Sequence, residues 1–211
     1  MSDPKIDPRF KNAMFQAQTW KGYVQQYTQQ LQDALEQVPD AVLDDAFRVI
    51  STAVRDNRRV FVAGNGGSAA IADHLCCDWT KGTHSPGLPP LRTHSLASNV
   101  PMLTAIANDF GYDAVFSRQL ELLGSAGDVL LLISSSGNSP NILAAVDTAK
   151  AMGITTVGLT GFTGGALAAR ADVCLHIPYA NYGLVEDCHQ ILMHTFAQLF
   201  VRQREPDTTH A

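Results

Sequence analysis

Short apolar runs alternate with helical segments along most of this chain, and that alternation leaves few folds open to it. Arg59–Ala63 is β-branched and aromatic, Asp128–Ser134 is strongly apolar, and Thr155–Leu159 and Val173–Ile177 repeat the pattern. A weaker strand is predicted near Thr93–Ala97. Ala69–Trp79, Pro101–Asn108, Val115–Leu123, Asn141–Met152 and Val185–Val201 read as helices, and Gly161–Gly165 as a loop. Strands that are apolar on both faces and separated by helices indicate a parallel sheet covered on both sides. The expected fold is a three-layer α/β domain with right-handed crossovers.

Two helices precede the first strand. From Thr19 to Leu35 the residues Trp20, Tyr23, Tyr27, Leu31 and Leu35 recur at helical spacing and form one stripe. Val42–Val54 resumes the pattern after Pro39-Asp40. The aromatic stripe could cover the domain's own sheet or pair with another subunit. Residues 1–18 are expected to be a tail, 19–203 a single domain and 204–211 a frayed end.

The chain has 211 residues, 45% hydrophobic and 17% charged, which suits one domain with a sizeable core. A net charge of −5 without a basic run argues against nucleic acid as partner. No apolar stretch approaches the roughly 18–20 residues that span a bilayer, and the N-terminus lacks a signal-peptide pattern. A cytoplasmic protein is expected. Cys76, Cys77, Cys174 and Cys188 form no C-x-x-C pair and read as small buried apolar residues.

Chemistry in such a sheet sits at the carboxyl ends of strands. Ser134-Ser135-Ser136-Gly137-Asn138-Ser139-Pro140 follows the most apolar strand. Ser139 suits a helix N-cap and Pro140 the first helical position, so serine hydroxyls and backbone N–H groups face the positive end of a helix dipole. That arrangement suits a phosphate without needing a lysine. Gly64-Asn65-Gly66-Gly67-Ser68 loosely fits a dinucleotide fingerprint, but the next strand ends Ala97-Ser98-Asn99 with no carboxylate for a ribose. A sugar-contacting loop using Asn65, Gly66 and Ser68 fits better.

His74 and Asp78 stand at i and i+4, about 6 Å apart along a helix axis. That spacing can chelate a divalent metal or place an acid–base pair. Glu186, Asp187, His189 and His194 cluster on the last helix. Glu186 and His194 lie about 12 Å apart on a regular helix, so they share one metal only if the helix starts near Glu186 and both side chains lean inward. His84, His94 and His176 read as structural or exposed.

These segments resemble the SIS (sugar isomerase) family, and within it the phosphoheptose isomerases. The resemblance is carried by Gly64–Ala70 with His74, Leu103–Tyr112, Phe116–Gln119, Gly127–Leu130, Ser134–Ile142 and Leu159–Gly161, and spans roughly residues 20–200. It implies a flavodoxin-like five-stranded parallel sheet, a homotetramer with sites between subunits, and one bound Zn2+ per subunit. The implied reaction converts sedoheptulose 7-phosphate to D-glycero-D-manno-heptose 7-phosphate for cell-surface heptose synthesis.

The family's phosphate loop falls on Ser134, Ser135, Ser136 and Ser139, its first metal-ligand histidine on His74 and its C-terminal catalytic histidine on His194. Four positions depart from the pattern. The catalytic glutamate is Asp78, the glutamine ligand is Glu186, and two positions usually acidic are Asn99 and Ile71. Asp78 is then the expected base and His194 the acid. His74, Asp78, Glu186 and His194 are the expected metal ligands, with Glu186 and Asn99 also near substrate. Asp78 and His194 cannot hold a metal and carry a proton at the same instant, so either their roles alternate or a water intervenes. An isomerase of another phosphosugar and a non-catalytic SIS scaffold or sugar-phosphate sensor are the rival readings.

Overall fold

The computed structural model describes Phe15 and residues 17–204. Two helices, α1 (Trp20–Leu35) and α2 (Asp40–Arg55), lead into β1 (Arg59–Gly64) and α3 (Gly67–Cys77). A π-helical turn, Asp78–Gly82, continues α3 before β2 (Arg92–Ser95) and α4 (Val100–Phe110). A 3₁₀ turn, Tyr112–Ala114, precedes α5 (Ser117–Leu123), β3 (Val129–Ser134) and α6 (Pro140–Met152). The chain closes with β4 (Thr155–Thr160), α7 (Gly165–Arg170), β5 (Val173–His176) and α8 (Tyr182–Arg204).

The five strands are all parallel and lie in the order β2-β1-β3-β4-β5. Alternate side chains of each central strand enter opposite cores, as the pleat requires. Val60, Val62, Val129, Leu131 and Ile133 join α1, α2, α3 and α8 on one face. Phe61, Ala63, Leu130 and Leu132 join α4, α5, α6 and α7 on the other. This double burial is why the strands carry continuous apolar runs. The three-layer expectation holds.

The stripe on α1 divides. Tyr27, Leu31 and Leu35 pack against the chain's own core, and Tyr27 donates a 2.5 Å hydrogen bond to Asp187 Oδ2 on α8. Trp20 and Val24 stay exposed, Trp20 by 88%. Phe15 docks edge-on against Tyr23 and Tyr27, with ring centroids 5.1 and 5.5 Å away, although it falls in the expected tail. Residues 1–14, 16 and 205–211, the rest of the expected tails apart from 17, 18 and 204, lie outside the described residues.

Three expectations need correction. The loop expected over Gly161–Gly165 ends at Gly164: α7 starts at Gly165, entered through Gly164 at φ 84° and carried by Ala166, Leu167, Ala168 and Ala169. The helix expected to end at Trp79 changes to π geometry at Asp78. The last helix continues to Arg204, whose guanidinium donates to the Thr83 and Pro89 carbonyls and ties the helix end to the loop before β2.

Candidate active site at the crevice between two strands

The strand order reverses between β1 and β3, and the connections leaving these two strands diverge to opposite sides of the sheet. Such a switch point opens a crevice at the carboxyl ends of the strands. Here it is pinned by a reciprocal amide pair. Asn65 Nδ2 donates to Asn141 Oδ1 and Asn141 Nδ2 to Asn65 Oδ1, each at 2.9 Å. Tyr112 adds a hydroxyl bond to Asn65 Oδ1, also at 2.9 Å. The Asn65 amide therefore fixes the crevice wall as well as lining it. Asn141 is buried, and the sequence places it within the Ser134–Ile142 segment without giving it a role.

A cleft of about 170 Å³ opens beside this pair, lined by Ser68, Ser134, Ser135, Ser136 and Ser139 with Tyr182 and Glu186 at its α8 side. Ser139 occupies the N-cap position of α6 as expected, but its hydroxyl makes no cap bond. It stands instead 3.4 Å from Ser134 Oγ. Ser135 Oγ is buried without a hydrogen-bond partner. An orphaned buried hydroxyl carries a desolvation cost that a ligand oxygen would relieve. Ser136 Oγ accepts from Asn138 N–H at 3.3 Å. The loop turns at Gly137, where φ is 64° and a Cβ would run into the Gly164 carbonyl. The site thus offers hydroxyls and a helix N-terminus to an anion.

The acid–base cluster lies further along α8. Asp78 Oδ2 is 3.4 Å from His74 Nε2 and 3.4 Å from His194 Nε2. The two imidazole rings meet edge-on at 5.1 Å. Their ligand atoms and the Asp78 oxygen all lie within 4.8 Å of one another. Trp79, fully buried, donates Nε1–H to the Met193 carbonyl at 3.0 Å and so locks the π-helical turn to α8. Asp78 faces His194 because its neighbour in sequence is anchored beside the neighbour of His194. Gln190, absent from the sequence reading, sits in this cluster with its amide nitrogen 2.7 Å from His74 Nδ1 and 3.5 Å from His194 Nε2.

Other expected residues stand elsewhere. Helix α8 starts at Tyr182, one turn before Glu186. The Glu186 carboxylate faces the glycine turn instead: a Cβ on Gly67 would lie 2.6 Å from its Oε2. Burial, and then the Asp187 charge, raise the Glu186 pKa. Asn99 is exposed and caps α4, its Oδ1 accepting from Met102 N–H at 3.1 Å, so it does not line the cleft. Ile71 is buried in the core. Asp187 turns to Tyr27, and His189 is buried with Nε2 3.2 Å from the Thr160 carbonyl, so neither joins His194. His176 meets the Phe162 carbonyl at 3.1 Å, while His84 and His94 are exposed. Burial raises the Cys76 thiol to about 11 and Cys188 to about 12, as inert thiols require. Cys77, expected to be buried, is exposed.

The fold and site are those of a three-layer α/β domain with a serine-lined crevice at its switch point and a histidine–carboxylate cluster further along α8. Residues 22–161 match the SIS domain. The chain belongs to the SIS domain family. It is 41% identical over 163 residues to the phosphoheptose isomerase of Mycobacterium tuberculosis (strain ATCC 25177 / H37Ra), covering 75% of this chain and 83% of that protein. It is 38% identical over 156 residues to that of Campylobacter concisus (strain 13826), covering 74% and 82%. The phosphoheptose isomerase structure from Neisseria gonorrhoeae superposes with a TM-score of 0.78 at 32% identity, over 85% of this chain and 95% of that one.

Proposed function

We propose that this chain is an aldose–ketose isomerase that converts sedoheptulose 7-phosphate to D-glycero-D-manno-heptose 7-phosphate through an enediol. The observation that carries the reading is Asp78, 3.4 Å from two histidines, with a cleft further back along α8 whose Ser135 hydroxyl is buried and unpartnered. The named activity of relatives near 40% identity gives the substrate. Glu186, in the anion cleft, and His194, in the cluster, are eight residues apart on α8, about 12 Å along its axis. That separation suits a sugar whose phosphate and carbonyl lie at opposite ends.

In this reading Ser134, Ser135, Ser136 and Ser139 hold the phosphate, with Asn65, Gly66 and Ser68 along the sugar and Glu186 at the rim. Asp78 takes a proton from the hydroxymethyl carbon next to the ketone, and the released pair forms the carbon–carbon double bond of the enediol. His194 gives a proton to the ketone oxygen. Asp78 then returns its proton to the former carbonyl carbon while His194 recovers one from the terminal hydroxyl, which leaves the aldehyde. Protons balance over the cycle.

The cluster also fits a zinc ion. Ligands of a tetrahedral site with bonds of about 2.0–2.1 Å stand about 3.3–3.4 Å from each other, which is the spacing of Asp78 Oδ2 from each histidine nitrogen. His74, Asp78 and His194 would hold it, with Asp78 and His194 serving as ligand and proton carrier in alternation or through a water. When bound, zinc polarises a carbonyl and stabilises negative charge on oxygen. Glu186 as a ligand would need to leave Gly67.

Assembly and location belong to the same proposal. The side chains of His74, Asp78 and His194 are 48%, 34% and 41% exposed, whereas isomerase sites exclude water. A homotetramer with neighbouring subunits closing the sites, formed from a single domain over residues 19–203, supplies that cover. No described helix is long and apolar enough to cross a membrane, which accords with a cytoplasmic enzyme of a phosphosugar.

Incubating the zinc-supplied protein with sedoheptulose 7-phosphate and following the aldehyde by NMR tests the reading. The wild-type chain should form the aldose, and Asp78→Asn should slow it by about 10²–10⁴-fold. Full activity in that variant removes Asp78 as the base. No conversion by wild type overturns the isomerase reading in favour of a scaffold or sensor.

A further inference from the structure

We propose that Gln190 is the positioning residue that sets the ring state of His74 for metal binding. Its amide nitrogen stands 2.7 Å from His74 Nδ1; in the proposed state the amide is turned over, so that its oxygen accepts from Nδ1–H and the Nε2 lone pair is left for the metal beside Asp78. The inference rests on the zinc reading above and deepens it.

The contact is specific. Gln190 and His194 occupy successive turns of one face of α8, and His74 approaches that face from α3. The Gln190 amide lies 2.7 Å from His74 Nδ1, the ring nitrogen turned away from Asp78, while Nε2 is the one 3.4 Å from the carboxylate. The two ring nitrogens therefore have different tasks. A ligating histidine almost always donates its second N–H to an acceptor, which fixes the tautomer and strengthens the ligand. Among the described residues, Gln190 is the group in hydrogen-bond reach of that second nitrogen. The two ends of a glutamine amide exchange by a half-turn, so the oxygen can occupy the place beside Nδ1 whenever that nitrogen carries the proton.

This assignment also separates two residues of α8 that spacing alone confuses. Glu186 lies one turn before Gln190 and its carboxylate stands at Gly67, in the anion cleft. Gln190 lies within the histidine cluster. The first faces the substrate's charged end and the second supports a ligand.

Zinc affinity of the full chain, read by competition with a chromophoric chelator, tests the proposal together with the ring spectrum. Gln190→Met keeps the length and removes the acceptor; it should weaken zinc binding by about 10–100-fold. Gln190→Glu keeps the acceptor and should bind at least as tightly as wild type. In nitrogen-15 NMR spectra of the zinc-loaded wild type, His74 should show a protonated, slowly exchanging Nδ1 and a metal-bound Nε2. The spectrum needs no variant, so it decides even if one fails to fold. Methionine binding as tightly as glutamine, or His74 bound through Nδ1, overturns the role of Gln190 and leaves the metal site standing. A wild-type chain that takes up no zinc overturns the metal reading, and this inference with it.

Discussion

His189 shares a helix with His194 and none of its chemistry. Its ring is wholly buried, Nε2 meets the Thr160 carbonyl, and Nδ1 has no partner. Burial pushes its pKa down to about 4. The unfolded chain takes up the proton near pH 6.5, so acidification from there toward pH 4 favours unfolding. Stability rises with pH across this window and is lost as pH falls through it, by roughly 1.4 kcal/mol per unit. His189→Gln keeps a donor for Thr160 and cannot titrate. Denaturant melts at pH 7 and pH 5 should show wild type losing about 2 kcal/mol more than the variant; equal losses would contradict the assignment. At this scale the sequence revealed types and spacing, not direction. His74 and Asp78 were legible because one helical turn must bring them together. The capping role of Asn99 was not legible from its type alone, and Gln190 was missed because glutamine on a helix is ordinary until a histidine from another helix meets it.

At the scale of elements, the phosphate loop depends on a contact between two βα connections. Gly137 and Gly165 back onto each other: a Cβ on Gly137 would run into the Gly164 carbonyl, and one on Gly165 into the Ser136 carbonyl. Gly137→Ala also forces a left-handed φ on an L side chain, at about 1–2 kcal/mol before the collision is counted. The variant should unfold at least 2 kcal/mol more easily by denaturant titration and bind inorganic phosphate at least tenfold more weakly by calorimetry, while an unchanged protein would remove this packing from the account. The central strands were readable because burial on two faces demands unbroken apolar runs. Helix α7 escaped notice, being six residues long and opened by a glycine. The π-helical turn at Asp78 has no local signature either. It is held by Trp79 against Met193, 114 residues away in sequence.

At the scale of the whole molecule, the topology places two unlike sites along α8. Its first turns border the serine cleft and its middle carries His194. Trp20 and Val24 on α1 and the half-exposed histidine cluster leave surface open to solvent. The central claim is that the β1–β3 crevice grips the phosphate of a sugar whose other end reaches the histidines. Crystals soaked with sedoheptulose 7-phosphate test it most directly. The account predicts phosphate oxygens hydrogen-bonded to Ser135 and Ser139 at the start of α6, with the sugar running along α8 toward Asp78. Phosphate bound elsewhere, for example at Arg59 and Arg92, with the serine cleft left empty, would contradict it.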